Sequence, residues 1–154
     1  MTSTAIATVR NFGPENRDLT PSPRKNPIPA LEKIPRRVLV VDDEPLIRWS
    51  VAETLTAAGL AVMQAADAAS ALRIVTSGEQ PFDVIVLDLR LPDMRDLSLL
   101  GTLRQLQPRA AIVLMTAFGT DDVMERAIAL GVQNVLRKPF EMDQLVEVVH
   151  SLPC

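Results

Sequence analysis

The 154-residue sequence is poor in the residues that build disulfides, zinc sites and membrane anchors. It contains one cysteine, Cys154, and one histidine, His150, so it can form neither an internal disulfide nor a Cys/His zinc site. No apolar run approaches the roughly 18 residues that are needed to cross a bilayer. Residues 1–10 also lack the apolar stretch of a secretory signal. We therefore expect a cytoplasmic protein that does not contact a membrane.

Basic residues are scarce outside the N-terminal segment. Residues 1–37 contain seven Lys/Arg and three Asp/Glu, whereas the rest of the chain contains nine basic and 16 acidic residues. The second part therefore has a net charge of −7 and no basic stripe, which disfavours direct binding to nucleic acid. Six of the 12 prolines lie within the first 35 residues. We expect residues 1–34 to be a disordered, proline-rich basic arm; an arm that docks on an acidic partner is the alternative.

From Arg36 onward, short apolar runs alternate with amphipathic segments. The runs predict strands at 38–41, 60–65, 84–87, 111–115 and 134–137. The segments predict helices at 45–58, 68–77, 97–106, 121–130 and 141–152, with Asp67 and Asp96 as N-caps of the second and third. Parallel strands need a helical crossover between them. Residues 35–152 therefore predict an α/β domain with a doubly wound, five-stranded parallel sheet and helices on both faces.

Polar side chains directly follow four of the predicted strands: Asp42 and Asp43, then Asp88, Thr116 and Lys138. Ligands of such sheets bind beyond the carboxyl ends of the strands. Two carboxylates about 5 Å apart repel each other by roughly 3 kcal/mol at an effective dielectric constant near 20. Three acids on one rim therefore need cations, and Lys138 together with Mg²⁺ would supply them. Each residue alone has an ordinary structural explanation, but their coincidence at four strand ends favours a functional site.

Four segments at these strand ends resemble the receiver domains of two-component response regulators. They are VLVVDDEP (38–45), FDVIVLDLRLPDM (82–94), LMTA (114–117) and LRKPF (136–140). Within that family, DDEPLIRWSVAETL (42–55) is most similar to receivers of nitrogen-regulatory enhancer-binding activators. The resemblance implies a flavodoxin-like sheet with strand order 2-1-3-4-5.

The resemblance also implies a Mg²⁺-dependent phosphoacceptor site centred on Asp88. This residue would accept a phosphoryl group from a sensor histidine kinase or a phosphotransfer protein. Asp43 and Asp88 would bind the metal directly, Asp42 would bind it through water, and the backbone carbonyl of Arg90 would complete the protein ligands. The chain would be a phosphoacceptor with slow autodephosphorylation and not a turnover enzyme.

The resemblance further implies that Lys138 would contact a phosphoryl oxygen and that Thr116 would donate its hydroxyl to the phosphoryl group. The signal would leave through the fourth helix, fifth strand and fifth helix, which could also form a homodimer. Thr116 and Val135 occupy the switch positions, but receivers usually carry Tyr or Phe where this sequence has Val135. A pseudo-receiver, which binds proteins without being phosphorylated, is therefore the alternative function.

Other departures from the family concern the third loop and the C-terminus. Arg95 and Asp96 stand where the loop after Asp93 usually contains glycine. No output domain follows Leu152, so we expect either a stand-alone receiver or a piece of a longer regulator.

Two further alternatives concern single residues. Aspartate-nucleophile phosphohydrolases use an acid two residues after the nucleophile, and Arg90 cannot play that role because its side chain stays protonated. Trp49, in the first predicted helix, is expected to be a half-buried aromatic, with a partner-docking role as the alternative.

Overall fold

The computed structural model describes residues 34–117 and 119–153. The predicted arm, residues 1–34, lies outside the described residues apart from Ile34. The strands are β1 (Arg37–Val41), β2 (Ala61–Ala65), β3 (Val84–Asp88), β4 (Ala111–Thr116) and β5 (Val132–Arg137). The helices are α1 (Pro45–Ala57), α2 (Ala68–Ser77), α3 (Ser98–Leu106), α4 (Asp121–Ala129) and α5 (Met142–Ser151). None of these helices is long and apolar enough to cross a membrane.

The five strands form one parallel sheet in the order β2-β1-β3-β4-β5, which confirms the predicted fold and strand order. β1 is an interior strand, since Val38 pairs with Val62 on one side and with Val84 on the other. The chain leaves β1 toward β2 and then returns past β1 to β3. The winding therefore reverses between β1 and β3, and a crevice is expected at the carboxyl ends of these two strands.

Alternate residues of the strands face two separate hydrophobic cores. Leu39, Ile85 and Ile112 are fully buried on the face that is covered by α2, α3 and α4. Val38 and Val84 are fully buried on the opposite face, which is covered by α1 and α5. Burying each such side chain contributes about 1.5–3 kcal/mol. Cores on both faces hold the sheet in place and fix the positions of the side chains at its rim.

One of the two predicted helix N-caps is confirmed, and the other is displaced by one residue. Asp67 caps α2 as predicted, and its Oδ1 accepts a hydrogen bond from the Ser70 N–H at 2.7 Å. The prediction that Asp96 caps α3 is wrong by one residue, because Leu97 occupies the N-cap position. Asp96 nevertheless accepts the Ser98 N–H at 2.9 Å. β5 begins two residues earlier than predicted because Gly131, with φ of 96°, turns the chain directly out of α4.

Trp49 is 56% exposed, so the prediction of a half-buried aromatic is wrong. Val51 and Leu55 are fully buried and mark the face of α1 that packs on the sheet. Two residues along a helix correspond to a rotation of about 200°. Trp49 therefore lies on the solvent side of α1, together with Leu46, which is 73% exposed.

Candidate functional site

The predicted site residues converge at the carboxyl ends of four strands. Asp88 is the last residue of β3, Thr116 is the last residue of β4, and Asp42 and Lys138 directly follow β1 and β5. The sheet ladder continues past its last assigned residue, since the Lys138 N–H donates to the Thr116 carbonyl at 2.8 Å. The backbones of Asp42, Asp88, Thr116 and Lys138 are therefore held by the sheet and not by a free loop.

Lys138 lies at the centre of the acidic cluster. Its Nζ donates to Asp42 Oδ2 at 2.9 Å and to Asp88 Oδ2 at 3.2 Å, and it lies 3.8 Å from Glu44 Oε1. The lysine side chain is only 11% exposed. The peptide bond between Lys138 and Pro139 is cis. One ammonium thus joins the carboxyl ends of three strands, β1, β3 and β5.

The two neighbouring aspartates differ in their surroundings. Asp42 is completely buried; its Oδ1 accepts the Glu44 N–H at 2.9 Å and its Oδ2 accepts from Lys138. Its backbone carbonyl accepts from Arg48 at 2.8 Å. Asp43 is exposed and lines the pocket above the strand ends. Asp43 is therefore available to an incoming ligand, whereas both carboxylate oxygens of Asp42 are already engaged.

The pKa of the Asp88 carboxyl is strongly shifted. Burial raises the pKa of Asp88 to about 6; the Arg90 N–H, 3.1 Å from Oδ1, and the Lys138 charge oppose this rise, and the Asp42 charge adds to it. The carboxyl is only 7% exposed. Asp88 is therefore mostly ionised near pH 7, but the charged form is less stable here than in water.

The pKa of Lys138 is shifted in the direction that keeps it charged. Burial acts to lower the pKa of Lys138, but the hydrogen bond to Asp42 and the charges of Asp88 and Asp42 together outweigh burial and raise it. The ammonium thus stays positively charged next to Asp88, whose ionisation is disfavoured by burial.

The acidic residues fit a hard divalent cation. Carboxylate oxygens of Asp42, Asp43 and Asp88 lie within 4.8 Å of one another. Mg²⁺ is typically bound by one or two carboxylates and keeps the rest of its shell for water and phosphate. Asp42, Asp43 and Asp88 carry three formal negative charges, and the Lys138 ammonium among them carries one positive charge. The donor set and its excess charge therefore both suit Mg²⁺.

The cluster opens into a pocket of about 240 Å³. Its walls are Asp43, Glu44, Asp88, Arg90, Leu91, Pro92, Arg95, Thr116, Ala117 and Lys138. A water molecule occupies about 30 Å³ of the liquid, so the pocket has room for a phosphoryl group and several waters. Thr116 and the small Ala117 both line this space.

A family model for the response regulator receiver domain matches residues 38–150. The chain belongs to this family. Its receiver sequence is 39% identical over 109 residues to the transcriptional regulatory protein KdpE of Mycobacterium tuberculosis, covering 71% of this chain and 47% of that protein. It is 36% identical over 112 residues to the DNA-binding transcriptional regulator NtrC of Escherichia coli K12, covering 73% and 24%. The chain thus spans less than half the length of these two regulators.

Other relatives are similar over most of their own length. Sporulation initiation phosphotransferase F of Bacillus subtilis is 32% identical over 113 residues, covering 73% of this chain and 90% of that protein. A CheY-like receiver from Methanospirillum hungatei JF-1 has a TM-score of 0.71 at 26% identity, covering 76% and 92%. A response regulator from Burkholderia pseudomallei, crystallised with a phosphorylated aspartic acid, calcium ion and citrate, has a TM-score of 0.68 at 30% identity, covering 75% and 67%.

Membership in the family indicates the general function of the polar residues at the carboxyl ends of the strands. Receiver domains are signalling phosphoacceptors of two-component systems and not turnover enzymes in general. They bind Mg²⁺ at an acidic pocket and accept phosphate from histidine kinases or phosphotransfer proteins.

Three residues of this receiver site were not predicted from sequence. Arg48 hydrogen-bonds the Asp42 carbonyl, Asp93 accepts N–H groups from the start of α2, and Arg95 lines the pocket. Asp93 and Arg95 lie in a loop without periodicity, so no sequence pattern marks their contacts. Val135, at the predicted switch position, is half-buried and packs against the core beneath α2, α3 and α4.

Proposed function

We propose that this receiver is a phosphorylation switch in which Asp88 accepts a phosphoryl group from a phosphohistidine of a sensor histidine kinase or phosphotransfer protein. The observation that carries the proposal is the position of the Asp88 carboxylate. It lies 3.2 Å from the Lys138 ammonium and shares an acidic cluster with Asp42 and Asp43 at the pocket. In-line phosphoryl transfer needs positioning and charge neutralisation more than acid–base chemistry.

In the proposed reaction, an oxygen of ionised Asp88 forms a bond to phosphorus. The P–N bond of the donor phosphohistidine breaks, and its electron pair stays on the imidazole nitrogen. The product is an acyl phosphate on Asp88. With a pKa of about 6, Asp88 is ionised at neutral pH and needs no base to remove a proton.

Lys138 and Thr116 are the proposed partners of the transferred group. The Lys138 ammonium already donates to Asp88 Oδ2, so it would lie next to a phosphoryl oxygen bonded to the same carboxyl. Thr116 lies at the end of the neighbouring strand and lines the same pocket. Its hydroxyl would donate to the phosphoryl group after transfer and report its arrival to β4.

Four groups are the proposed Mg²⁺ ligands. Asp43 and Asp88 would bind the ion directly, since both line the pocket. Asp42 would bind it through water, because its two carboxylate oxygens already accept hydrogen bonds from Glu44 and Lys138. The carbonyl of Arg90 would be the fourth group. When bound, Mg²⁺ supplies positive charge that offsets the meeting of an anionic donor with an anionic acceptor.

An apolar groove next to the site supports a protein donor. A hollow of about 420 Å³ is lined by Ile47, Pro139, Phe140 and Met142, and it shares Glu44, Ala117 and Lys138 with the phosphoacceptor pocket. A protein segment seated there would place a phosphohistidine beside Asp88. Leu46 and Trp49, on the same helix as Ile47, are exposed.

The output side of the proposal concerns α4, β5 and α5. These elements would carry the signal to a partner or an output domain, or form a homodimer. Val135 has no ring that could swing inward, so readout would depend on Thr116 and the loop that leads into α4. Autodephosphorylation would be slow, with Arg90 beside the site limiting water access. Direct binding of this chain to nucleic acid is not part of the proposal.

Incubation with Mg²⁺ and acetyl phosphate, followed by intact-mass measurement, tests the proposal. We expect the mass of one phosphoryl group to appear in the wild-type protein and in Asp122→Ala, an exposed acid of α4 that serves as a matched control. Asp88→Ala should show no gain. If the wild-type protein gains no mass at any donor concentration, the phosphoacceptor function is wrong. The pseudo-receiver alternative, which the half-buried Val135 favours, would then stand.

A further inference from the structure

Arg95 lies in a loop whose backbone is tied down on both sides of it. Leu91 and Met94 exchange backbone hydrogen bonds of 3.2 Å. Asp93 accepts the first two N–H groups of α2 at 2.9 and 3.0 Å. Asp96 accepts an N–H of α3 at 2.9 Å. These hydrogen bonds fix the backbone of the loop between β3 and α3, and therefore the position of the Arg95 backbone.

Arg95 lies in the wall of the phosphoacceptor pocket, and its charge is opposite in sign to the charges of Asp43 and Glu44, which line the same pocket. Arg95 lines the pocket together with Asp88, Thr116 and Lys138. It also lines a second hollow of about 270 Å³ that continues toward α4. The Arg95 side chain therefore lines both pockets and is within reach of a molecule that enters either one.

Three cations line the pocket, Arg90, Arg95 and Lys138, and Lys138 and Arg95 differ in the protein groups that they already contact. The Lys138 ammonium lies within 4.0 Å of three carboxylates. Within residues 34–117 and 119–153, Arg95 makes no hydrogen bond or ion pair. An anionic donor that enters the pocket meets the carboxylates of Asp43 and Glu44, which repel it. Arg95 is the guanidinium at this mouth that can bind the donor without first releasing a protein partner.

We propose that the Arg95 guanidinium binds the phosphoryl group of the incoming donor at the mouth of the pocket and holds it for transfer to Asp88. This inference rests on the proposed phosphoacceptor function. A guanidinium presents two parallel N–H donors that match two phosphate oxygens, and such charge-assisted pairs are about twice as strong as neutral hydrogen bonds. The ligand is thus any phosphoryl dianion, whether it comes from phosphohistidine or from a small acyl phosphate.

The test compares phosphorylation rates of the full chain, with Mg²⁺ constant, for the wild type, Arg95→Ala, Arg95→Lys and Arg109→Ala. Arg109 is exposed and precedes β4 at the opposite end of the sheet, so its variant makes the same change in net charge away from the pocket. Acetyl phosphate represents small donors; its P–O bond breaks and acetate leaves with the electron pair. Monophosphoimidazole represents phosphohistidine through its P–N bond.

With both donors, we expect Arg95→Ala to raise the apparent KM about fivefold at an unchanged maximal rate, as for loss of one charge-assisted contact. Arg95→Lys should restore part of the loss, and Arg109→Ala should match the wild type. Added salt should slow the wild type more than Arg95→Ala. A loss with one donor alone would identify that donor as the source of the phosphoryl ligand. If the wild type is phosphorylated and Arg95→Ala equals it with both donors, the inference is wrong.

A second measurement separates this inference from the proposed function. Titration of inorganic phosphate should shift the NMR signal of the Arg95 Nε–Hε group, which is assigned by its loss in Arg95→Lys. If the wild type is not phosphorylated but this signal shifts, the phosphoacceptor function fails and anion binding by Arg95 holds. If the signal does not shift, phosphate binding by Arg95 is refuted.

Discussion

Replacing Asp88 by Asn should stabilise the metal-free protein at neutral pH. The native carboxyl has its pKa raised from 3.8 to about 6, mainly by burial. A folded-state pKa above the unfolded value means that the folded protein binds the proton more tightly. The stability from this group is therefore fully present below about pH 4 and is lost as the pH rises through about 6. The amide of Asn has nearly the same shape but carries no charge, so it avoids this loss.

The size of the stability difference follows from the change in the pKa of Asp88 on folding. A difference of about two pKa units corresponds to about 3 kcal/mol. The site opens to solvent through its pocket, and screening reduces this value. We therefore expect Asp88→Asn to be more stable than the wild type by about 1–2 kcal/mol near pH 7. The difference should shrink toward zero below about pH 3, where the carboxyl is protonated in both the folded and the unfolded state.

Urea unfolding of both proteins in EDTA, across this pH range, measures the difference directly. Asp93→Asn is a control of opposite sign, because N–H groups of Ala68 and Ala69 hold the pKa of Asp93 below its ordinary value. The free energy of unfolding of that variant should fall below the wild type at neutral pH and approach it in acid. The reasoning is refuted if Asp88→Asn is less stable than the wild type near neutral pH, or if its advantage does not change with pH.

Two further predictions concern the cations of the site. Lys138→Met should lower the free energy of unfolding by about 3 kcal/mol, because it leaves the fully buried Asp42 carboxylate without its ammonium partner. In an Asp42→Asn background the same change should lower the free energy of unfolding clearly less. An equal loss in both backgrounds, measured by urea unfolding, would contradict the pairing. Asp43→Asn should raise the melting temperature in EDTA by roughly 2 °C, since relief of repulsion at an exposed carboxylate is worth about 0.5 kcal/mol. Saturating Mg²⁺ should reverse that order because the variant lacks a proposed ligand. Scanning calorimetry that shows an unchanged or lower value in EDTA would mean that the cluster is not repulsive.

The rim of the sheet could be predicted because its strands are short apolar runs with clear ends. β3 and β4 are buried at every position, so each run stops where the chain reaches the polar rim, at Asp88 and Thr116. Pairing between strands is a long-range property. The strand order was therefore expected from resemblance to a family, and the registers that bring the rim residues together were not predicted.

The different surroundings of Asp42 and Asp43 could not be worked out from composition or period. The two side chains are chemically identical and adjacent in sequence. The Asp42 N–H still donates to the Ala65 carbonyl at 3.1 Å, so this residue continues the ladder of β1 and faces Lys138. Asp43 lies past the ladder and reaches the pocket. The resemblance to receivers assigned their roles, and the hydrogen bonds of Asp42 supply a physical reason for the assignment.

The charged side chains at the carboxyl ends of the strands affect both the stability of the protein and its proposed response to phosphorylation. In the proposed transfer Asp88 would have to stay ionised, yet its burial next to Asp42 makes ionisation costly, as the pKa of about 6 shows. The cost can be tolerated because the two hydrophobic cores hold the strand ends in place. Phosphorylation would add charge to this already acidic cluster, in which Lys138 is already shared among three carboxylates. Thr116 and Arg95 line the same pocket, so the added charge would act on them directly. A structural response to phosphorylation should therefore begin at Thr116 and at the β3–α3 loop that contains Arg95, and it need not involve a ring at position 135.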